Sequence, residues 1–267
     1  MRFFGSADQQ AMGQRGANLF ALVQDDPRFA WYGRNVTLVD FSLSELDTFE
    51  SLVRLQGATA GYRVRRELEH QFRAALETRG LRSDVFGFSV SADDTSVEKA
   101  RRVLRDFRLP DDLDVSFLAP DSADGDVEAF AEIALMADVL PPPDTVLRGQ
   151  ARRGVALVAR ERGSGRPVGC AASFANFHPD SIMADTCFWG MLATHPDRRG
   201  EKIALVLGAK AMIAMHEKTG IGKFSTGIRD DNIPSERLCE KLGVVRSDYL
   251  IIIGMDPDAF RDARITK

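Results

Sequence analysis

The chain has 267 residues, of which 44% are apolar and 28% are charged, and its net charge is −4. This length suffices for one large domain or two modest ones, and the composition is that of a folded protein. Because the balance of charge is acidic, the whole chain presents no basic face to a nucleic acid, and we expect no nucleic-acid partner.

Cysteine and histidine usage indicates neither a disulfide framework nor a metal site. The three cysteines form no CxxC motif, and the four histidines do not stand at metal-ligand spacing from them. We therefore expect reduced thiols in a cytoplasmic protein that binds no metal. The first ten residues lack the apolar core of a signal peptide, and the apolar run at 203–215 is too short to span a bilayer, so we expect no membrane partner.

The first part of the chain, residues 1–110, is predicted to be a smaller α/β domain. Its elements, in chain order, are a strand at 35–41, a helix at 43–56, a helix at 63–80, a strand at 83–91 and a helix at 93–107. Serine or aspartate at the start of the first and last helices is typical of an N-cap, and a glycine ends the middle one. The proline-containing turn at 109–112 indicates a domain boundary.

The second part, residues 111–267, shows the alternation of strands and helices more clearly. Its elements are a strand at 113–120, a helix at 127–139, strands at 154–162, 166–176 and 186–195, a helix at 201–218, a strand at 223–230, a helix at 233–243 and a strand at 247–255. The strand at 186–195 carries no internal charge, which is typical of a central strand. The order predicts an α/β fold with a mixed α+β sheet.

One order of secondary-structure elements occurs in both parts. The order helix, glycine, strand, acidic turn and helix occurs over 63–107 and again over 201–242. One interpretation is that the N-terminal domain is a degenerate copy of the second domain. The other is that such an order arises by chance in any α/β chain.

The loop "THPDRRGEKIA" at 194–204 carries the clearest functional signal. It opens a helix, and the first-turn N–H groups of a helix have no intrahelical partners and lie at its positive end, so they can bind an anion such as phosphate. Arg198, Arg199 and Lys202 add positive charge, and Gly200 lets the backbone approach a ligand. The alternative is an ordinary crossover turn with solvated arginines. The chain has neither a Walker-type P-loop nor a Rossmann fingerprint.

Together with the residues downstream, this loop resembles the GNAT superfamily of acyl-CoA N-acyltransferases. The family has the pattern [Q/R]-x-x-G-x-[G/A] at the start of a helix, and here Arg199 and Ala204 occupy its first and last positions. The segment "NIPSERLCEKLGV" supplies the family's asparagine and its K-x-G helix end, at Asn232, Lys241 and Gly243. The resemblance covers residues 113–255.

The resemblance implies a GNAT-like fold for the C-terminal half and the transfer of an acetyl group from acetyl-CoA to a primary amine. The amine attacks directly in a ternary complex, and a backbone N–H at the end of the long strand polarises the thioester carbonyl. The residues that the resemblance assigns to acetyl-CoA are Leu192, Ala193, Thr194, Arg199, Gly200, Glu201, Lys202, Ile203, Ala204, Asn232 and Ser235.

The sequence departs from the family pattern at two functional positions. Lys202 stands where the loop has its central glycine, and Cys239 stands where the family often has a tyrosine that returns a proton to the leaving thiolate. Cys239 is therefore either the general acid or a small buried apolar residue. Asp185, just before the long strand, is the candidate general base, with a solvated loop residue as the alternative.

Three functions remain open on the sequence alone. The first is an N-acetyltransferase that acts on a small-molecule or peptide amine, with a homodimer as one option for its assembly. The second is a non-catalytic acyl-CoA-binding or regulatory module with a degenerate active site. The third is an interaction domain without ligand or chemistry, against which the cluster of charge at a helix start argues.

Overall fold

Helices and strands alternate along the part of the chain that the computed structural model describes, residues 1–261. The helices are α1 (Ala7–Val23), α2 (Leu46–Gln56), α3 (Glu69–Thr78), α4 (Ser96–Asp106), α5 (Asp124–Met136), α6 (Asp144–Leu147), α7 (Ile203–Thr219) and α8 (Ile233–Lys241). The strands are β1 (Phe29–Ala30), β2 (Thr37–Leu38), β3 (Ala58–Arg65), β4 (Arg82–Ser91), β5 (Leu113–Phe117), β6 (Gly154–Glu161), β7 (Pro167–Phe174), β8 (Thr186–Thr194), β9 (Lys223–Ile228) and β10 (Val244–Met255). Within these residues, no helix is both long and apolar enough to cross a membrane.

The ten strands of the described residues form one sheet. Their order is β1-β2-β3-β10-β4-β9-β8-β7-β6-β5. The pairs β2–β3 and β8–β9 run parallel, and the other neighbours run antiparallel. The sheet is therefore mixed, which confirms the predicted fold class.

The two halves of the chain share this sheet. The last strand, β10, pairs with β3 on one side and with β4 on the other, and both of those strands come from the N-terminal half. β4 also pairs with β9, so it lies between β9 and β10. The predicted boundary at residue 110 falls in the connection between α4 and β5, and the division into two domains stays a prediction.

Helix α7 follows β8 and is the main helix that positions the site. It packs on β6, β7 and β8 and also contacts α4, which explains why its sequence is apolar on most sides. Trp189 of β8 is fully buried, and its Nε1 donates a hydrogen bond of 3.0 Å to the carbonyl of Gly208 in α7. A Cβ at Gly208 would lie 2.8 Å from Cζ2 of Trp189, so glycine lets helix and strand approach closely.

The N-terminal half differs from the prediction at helix α1, at strand β1, which has no predicted counterpart, and at strand β3. Helix α1 has no counterpart in the sequence analysis, because its apolar residues show little helical periodicity; a capping box of Ser6 and Gln9 starts it. The helix expected over 63–80 is wrong in its first part, since β3 runs to Arg65 and α3 begins at Glu69. β3 forms because β2 and β10, both distant in sequence, pair with its two edges.

Candidate active site

A cleft opens where two parallel strands diverge. β9 pairs with β8 only from the Thr186–Lys223 pair to the Phe188–Ser225 pair, and beyond Phe188 the two strands separate. The cleft between them has a volume of about 170 Å³. Its lining includes residues 188–192 of β8, residues 225–229 in and just after β9, the side of α8 and residues Tyr32, Arg34, Asn35 and Thr37 of the N-terminal half.

β8 carries a β-bulge beside the cleft. Ala193 pairs with Cys170, but Gly190 pairs with Ala172, so β8 has two residues where β7 has one. The first of the two, Met191, takes the left-handed conformation with φ of 55°. The Sγ of Cys170 donates a hydrogen bond of 3.1 Å to the Met191 carbonyl. This bond stabilises a backbone conformation that costs a non-glycine residue about 1–2 kcal/mol.

The three residues predicted to meet the pantetheine arm lie at and after this bulge. Leu192 lines the cleft, Ala193 is buried in the core cluster that also contains residues of α5, and Thr194 is half-buried at the end of the strand. They belong to the part of β8 that has left β9. Their backbone therefore lies where an extended ligand could run along the strand, although their role stays a prediction.

The start of α7 presents a row of unpaired backbone donors. The first N–H with a partner in the helix is that of Val206, which donates to the carbonyl of Lys202 at 3.1 Å. Among residues 1–261, no group accepts a hydrogen bond from the N–H groups of residues 200–205. The predicted loop residues Gly200, Glu201, Lys202, Ile203 and Ala204 all belong to this row. Such a row at the positive end of a helix is suited to bind a phosphate.

Lys202, at the glycine position of the family pattern, takes a left-handed backbone conformation that favours glycine. It is the N-cap of α7, with φ of 61° in the left-handed region, and its side chain makes no cap hydrogen bond. Its Nζ lies over the ring of Phe107, 4.2 Å from the centroid. The ammonium is thus engaged by the N-terminal half, while the backbone N–H remains in the donor row.

The two adjacent arginines of the loop have different surroundings. Arg198 makes ion pairs of 2.8–3.0 Å with three carboxylates, those of Asp112, Glu161 and Glu201. This corrects the prediction that Arg198 contributes charge to an anion site, because its own neighbours neutralise it. Arg199 is exposed and has no partner within the described residues, so its guanidinium is available to a ligand.

The ion pairs around Arg198 make the stability of the fold at acid pH depend on Glu161. A side-chain hydrogen bond from Arg166, with help from Ser164 and Arg198, lowers the pKa of Glu161 from its ordinary value of 4.5 to about 2. A lowered carboxyl pKa contributes stability that is complete above the unfolded pKa and is lost as the pH falls toward the folded pKa.

We expect Glu161→Gln to lower the melting temperature by a constant amount above about pH 5. The difference from the parent protein should shrink as the pH falls from about 4.5 toward 2. Thermal melts across that range measure it. Glu132→Gln is the control, since Glu132 is exposed and has no partner among residues 1–261. A difference that is independent of pH would contradict the role of the ion pairs.

Helix α8 forms another part of the cleft wall. Asn232 caps the helix by accepting a hydrogen bond of 3.3 Å from the Ser235 N–H, and both residues line the cleft, while their contact with a pantetheine arm stays a prediction. Cys239 also lines the cleft but is 3% exposed, and burial raises its pKa to about 12. An ordinary thiol has a pKa of about 8.5, so Cys239 is a weaker acid than usual and a poor proton donor to the leaving thiolate of CoA. These observations favour the buried apolar alternative.

Asp185 lies outside the cleft. Its carboxylate accepts a hydrogen bond of 2.8 Å from Nζ of Lys223 and one of 3.0 Å from Thr186, and the bond from Lys223 lowers its pKa. It stands at the opposite end of β8 from the bulge at Met191, about 20 Å away along a strand with a rise of about 3.3 Å per residue. The structure therefore does not bring Asp185 together with the other predicted residues.

The N-terminal half supplies a wall of the cleft that the sequence analysis missed. Tyr32 stacks on Phe188 with the ring centroids 4.3 Å apart, and Arg34 and Asn35 follow it in the lining. The segment "WYGRN" matches no motif, and its contacts with β8 span more than 150 residues of chain, so no local signal could have found it. The lining residues include no aspartate or glutamate.

Comparisons with known proteins address the family and the fold. The model of the acetyltransferase (GNAT) family matches residues 126–244, which include the bulge, the donor row and all of α8. No curated protein matches the sequence.

Several solved structures resemble the chain over most of its length. A GCN5-related N-acetyltransferase from Kribbella flavida is 16% identical with a TM-score of 0.55, over 92% of this chain and 95% of that one. A GCN5-related N-acetyltransferase-like protein from Streptococcus suis is 14% identical with a TM-score of 0.54, over 91% and 99%. A Drosophila protein is 13% identical with a TM-score of 0.52, over 94% and 90%. At these identities the likeness shows the fold alone, and it includes the N-terminal half.

Proposed function

We propose that this protein is an N-acetyltransferase that uses acetyl-CoA and a primary amine, because the model of the acetyltransferase (GNAT) family matches its residues 126–244. The observation that supports it most strongly is the row of unpaired N–H groups at residues 200–205, directly after the strand that edges the cleft. A phosphate-binding helix start beside a cleft of divergent strands is suited to a long ligand with phosphates at one end.

The proposed reaction needs little from the protein beyond position and polarisation. The N–H groups of residues 200–205 and the Arg199 guanidinium bind the pyrophosphate of the CoA. The backbone of β8 after the bulge holds the thioester, and an N–H there stabilises negative charge on its carbonyl oxygen. The amine nitrogen forms a bond to the carbonyl carbon, the carbon–sulfur bond breaks, and the thiolate takes up a proton.

The cleft offers no carboxylate as general base. Tyr62 lines it, but burial raises the pKa of its phenol, so it does not ionise at neutral pH. We infer that the amine reacts from its neutral form and loses its proton to water in the cleft.

Two observations favour one alternative, a non-catalytic acyl-CoA-binding module: the cleft lining has no carboxylate, and a buried cysteine, Cys239, stands at the position of the family's tyrosine. The two functions differ in turnover. A thermal melt with acetyl-CoA or free CoA tests binding for both, because a ligand at about 100 times its dissociation constant adds about 2.7 kcal/mol of stability. Release of free CoA that depends on an added amine supports the enzyme, whereas binding without any release supports the module.

We expect Arg199→Ala to weaken the binding of CoA by about 1–3 kcal/mol, the value of a charge-assisted hydrogen bond. Isothermal titration calorimetry measures the loss. Arg15→Ala is the matched control, since Arg15 is also exposed and unpaired within the described residues but lies on α1. An affinity that Arg199→Ala leaves unchanged would show that the loop does not bind the phosphates.

We expect Cys239→Ala to keep CoA binding and to change kcat by no more than about twofold, because a buried thiol with a pKa of about 12 is a poor proton donor. Steady-state assays of CoA release at several pH values check this. A fall in kcat of about 100-fold or more, with binding intact, would instead identify Cys239 as the general acid.

A further inference from the structure

Arg34 is a buried cation with no counterion. It is 8% exposed in the wall of the cleft. Its Nε has no hydrogen-bond partner, and among residues 1–261 it makes no ion pair. Its recorded contacts are a bond of 3.3 Å from Nη2 to Sδ of Met191 and a position over the ring of Tyr32, 5.4 Å from the centroid. Neither neighbour carries a negative charge.

A buried cation without a counterion is unfavourable unless a ligand supplies the missing negative charge. Moving a charged group out of water costs several kcal/mol even after relaxation, and buried charges in proteins are normally paired. The adjacent Asn35 has the same deficit, because its Nδ2 is buried without a partner. Two donors without partners, one of them on a guanidinium, therefore belong to residues that line the same cleft. A carboxylate is the ligand group that accepts hydrogen bonds from such donors and also supplies the missing charge.

The backbone that carries these two residues is held rigidly. The side chain of Gln56, fully buried, accepts from the Val36 N–H at 2.6 Å and donates to the Val36 carbonyl at 3.2 Å. On the other side, Gly16 of α1 lies so close that an added Cβ would be 2.6 Å from the Arg34 carbonyl oxygen. The chain therefore fixes this segment with side chains that have no other role in the cleft, as a preformed binding site requires.

The position of Arg34 separates it from the proposed phosphate site. It contacts Met191, the residue at the bulge, whereas the phosphates would bind at residues 200–205, which have their own cation in Arg199. Under the proposed function the thioester lies along β8 at and after Met191. A carboxylate bound by Arg34 would therefore lie at the reacting end of a substrate.

We propose that Arg34 and Asn35 bind a carboxylate of the substrate in the cleft, carried either by the amine, which is then an amino acid, or by the acyl group. The inference rests on the proposed function. It makes Arg34 a specificity residue: an amine and an acyl group that both lack a carboxylate leave two buried donors unpaired, and the site discriminates against them for that reason.

The experiment uses the full chain and three kinds of probe. Free CoA in a thermal melt tests the proposed function alone. With CoA saturating, N-acetylglycine is then compared with N-methylacetamide, and N-acetylphenylalanine with N-acetylphenethylamine; the members of each pair differ by one carboxylate. Succinyl-CoA is compared with propionyl-CoA in the absence of free CoA; these two also differ by one carboxylate.

We expect one of these comparisons to favour the carboxylate by about 10- to 100-fold in dissociation constant. A preference within the acetamide pairs assigns the carboxylate to an amino-acid acceptor, and a preference for succinyl-CoA assigns it to the acyl group. Stabilisation by CoA with no preference in any comparison would overturn the inference and leave the proposed function standing. If CoA itself does not bind, both are wrong.

Three variants connect the preference to Arg34. Arg34→Met should abolish the carboxylate preference while the affinity for free CoA stays unchanged. Arg34→Lys should keep part of the preference, since lysine retains the charge but lacks the paired N–H groups of the guanidinium. Arg152→Met is the matched control: Arg152 has an equally unsatisfied Nε but lies over Phe20 and outside the cleft, so the preference should remain.

The unliganded protein gives a second readout. Arg34→Met should melt at the same or a higher temperature, because it removes an unpaired buried charge. A merely structural arginine would instead give a lower melting temperature and an unchanged carboxylate preference, and that result would overturn the assignment.

Discussion

Replacement of Trp189 with alanine is expected to lower the free energy of unfolding by about 3–5 kcal/mol, the range for a large aromatic residue in a core. The indole is fully buried and donates to the Gly208 carbonyl, so the substitution leaves a cavity between β8 and α7. Urea unfolding followed by circular dichroism measures the loss. The melting temperature should fall by about 10 °C.

A matched pair of milder changes separates the hydrogen bond from the volume. Trp189→Phe removes the bond to Gly208, whereas Trp31 is also buried but its Nε1 has no partner. We therefore expect Trp189→Phe to be more destabilising than Trp31→Phe by about 1 kcal/mol. Equal losses would show that packing alone determines the cost at Trp189.

The second large effect is expected at Gly169, where β7 meets the start of α7. A Cβ there would lie 2.5 Å from Cγ2 of Ile203 and 3.1 Å from Cδ1 of Leu207. Gly169→Val should therefore lower the free energy of unfolding by about 3 kcal/mol, a high value for overpacking. Because Ile203 is the first residue of α7, the variant should also shift the donor row and weaken CoA binding. Urea unfolding measures the loss of stability, and isothermal titration calorimetry on the folded protein measures the loss of CoA affinity.

Gly163→Val is the control for this substitution. Gly163 lies in the turn between β6 and β7, and an added Cβ there would meet no atom within 4 Å. We expect a change in stability within about 0.5 kcal/mol and no change in CoA affinity. A Gly169→Val protein with parental stability would mean that α7 can move away from the sheet without loss.

The sequence is informative where function depends on neighbouring residues. The loop at 194–204 and the start of α8 are local patterns, and the structure forms a helix N-terminus at each. It is uninformative where neighbours are distant. β3 is a strand because β2 and β10 enclose it, and Arg34 reaches Met191 across 157 residues of chain.

The sequence also cannot show which of two adjacent arginines is neutralised by its neighbours. Arg198 and Arg199 cannot be distinguished by composition or by their position before the helix. Two of the carboxylates that neutralise Arg198, Asp112 and Glu161, come from distant parts of the chain, and no carboxylate pairs with Arg199 in the described residues. Only the folded arrangement shows which charge is left for a ligand.

The interleaving of β10 between β3 and β4 has a consequence for the protein's synthesis. Residues up to 255 must leave the ribosome before β3 and β4 acquire the strand that joins them, so the early part of the nascent chain exposes unpaired strand edges for most of translation. Pairings of such long sequence separation also form slowly. We expect expression to benefit from low temperature or chaperones, and a fragment that ends before β10 to aggregate.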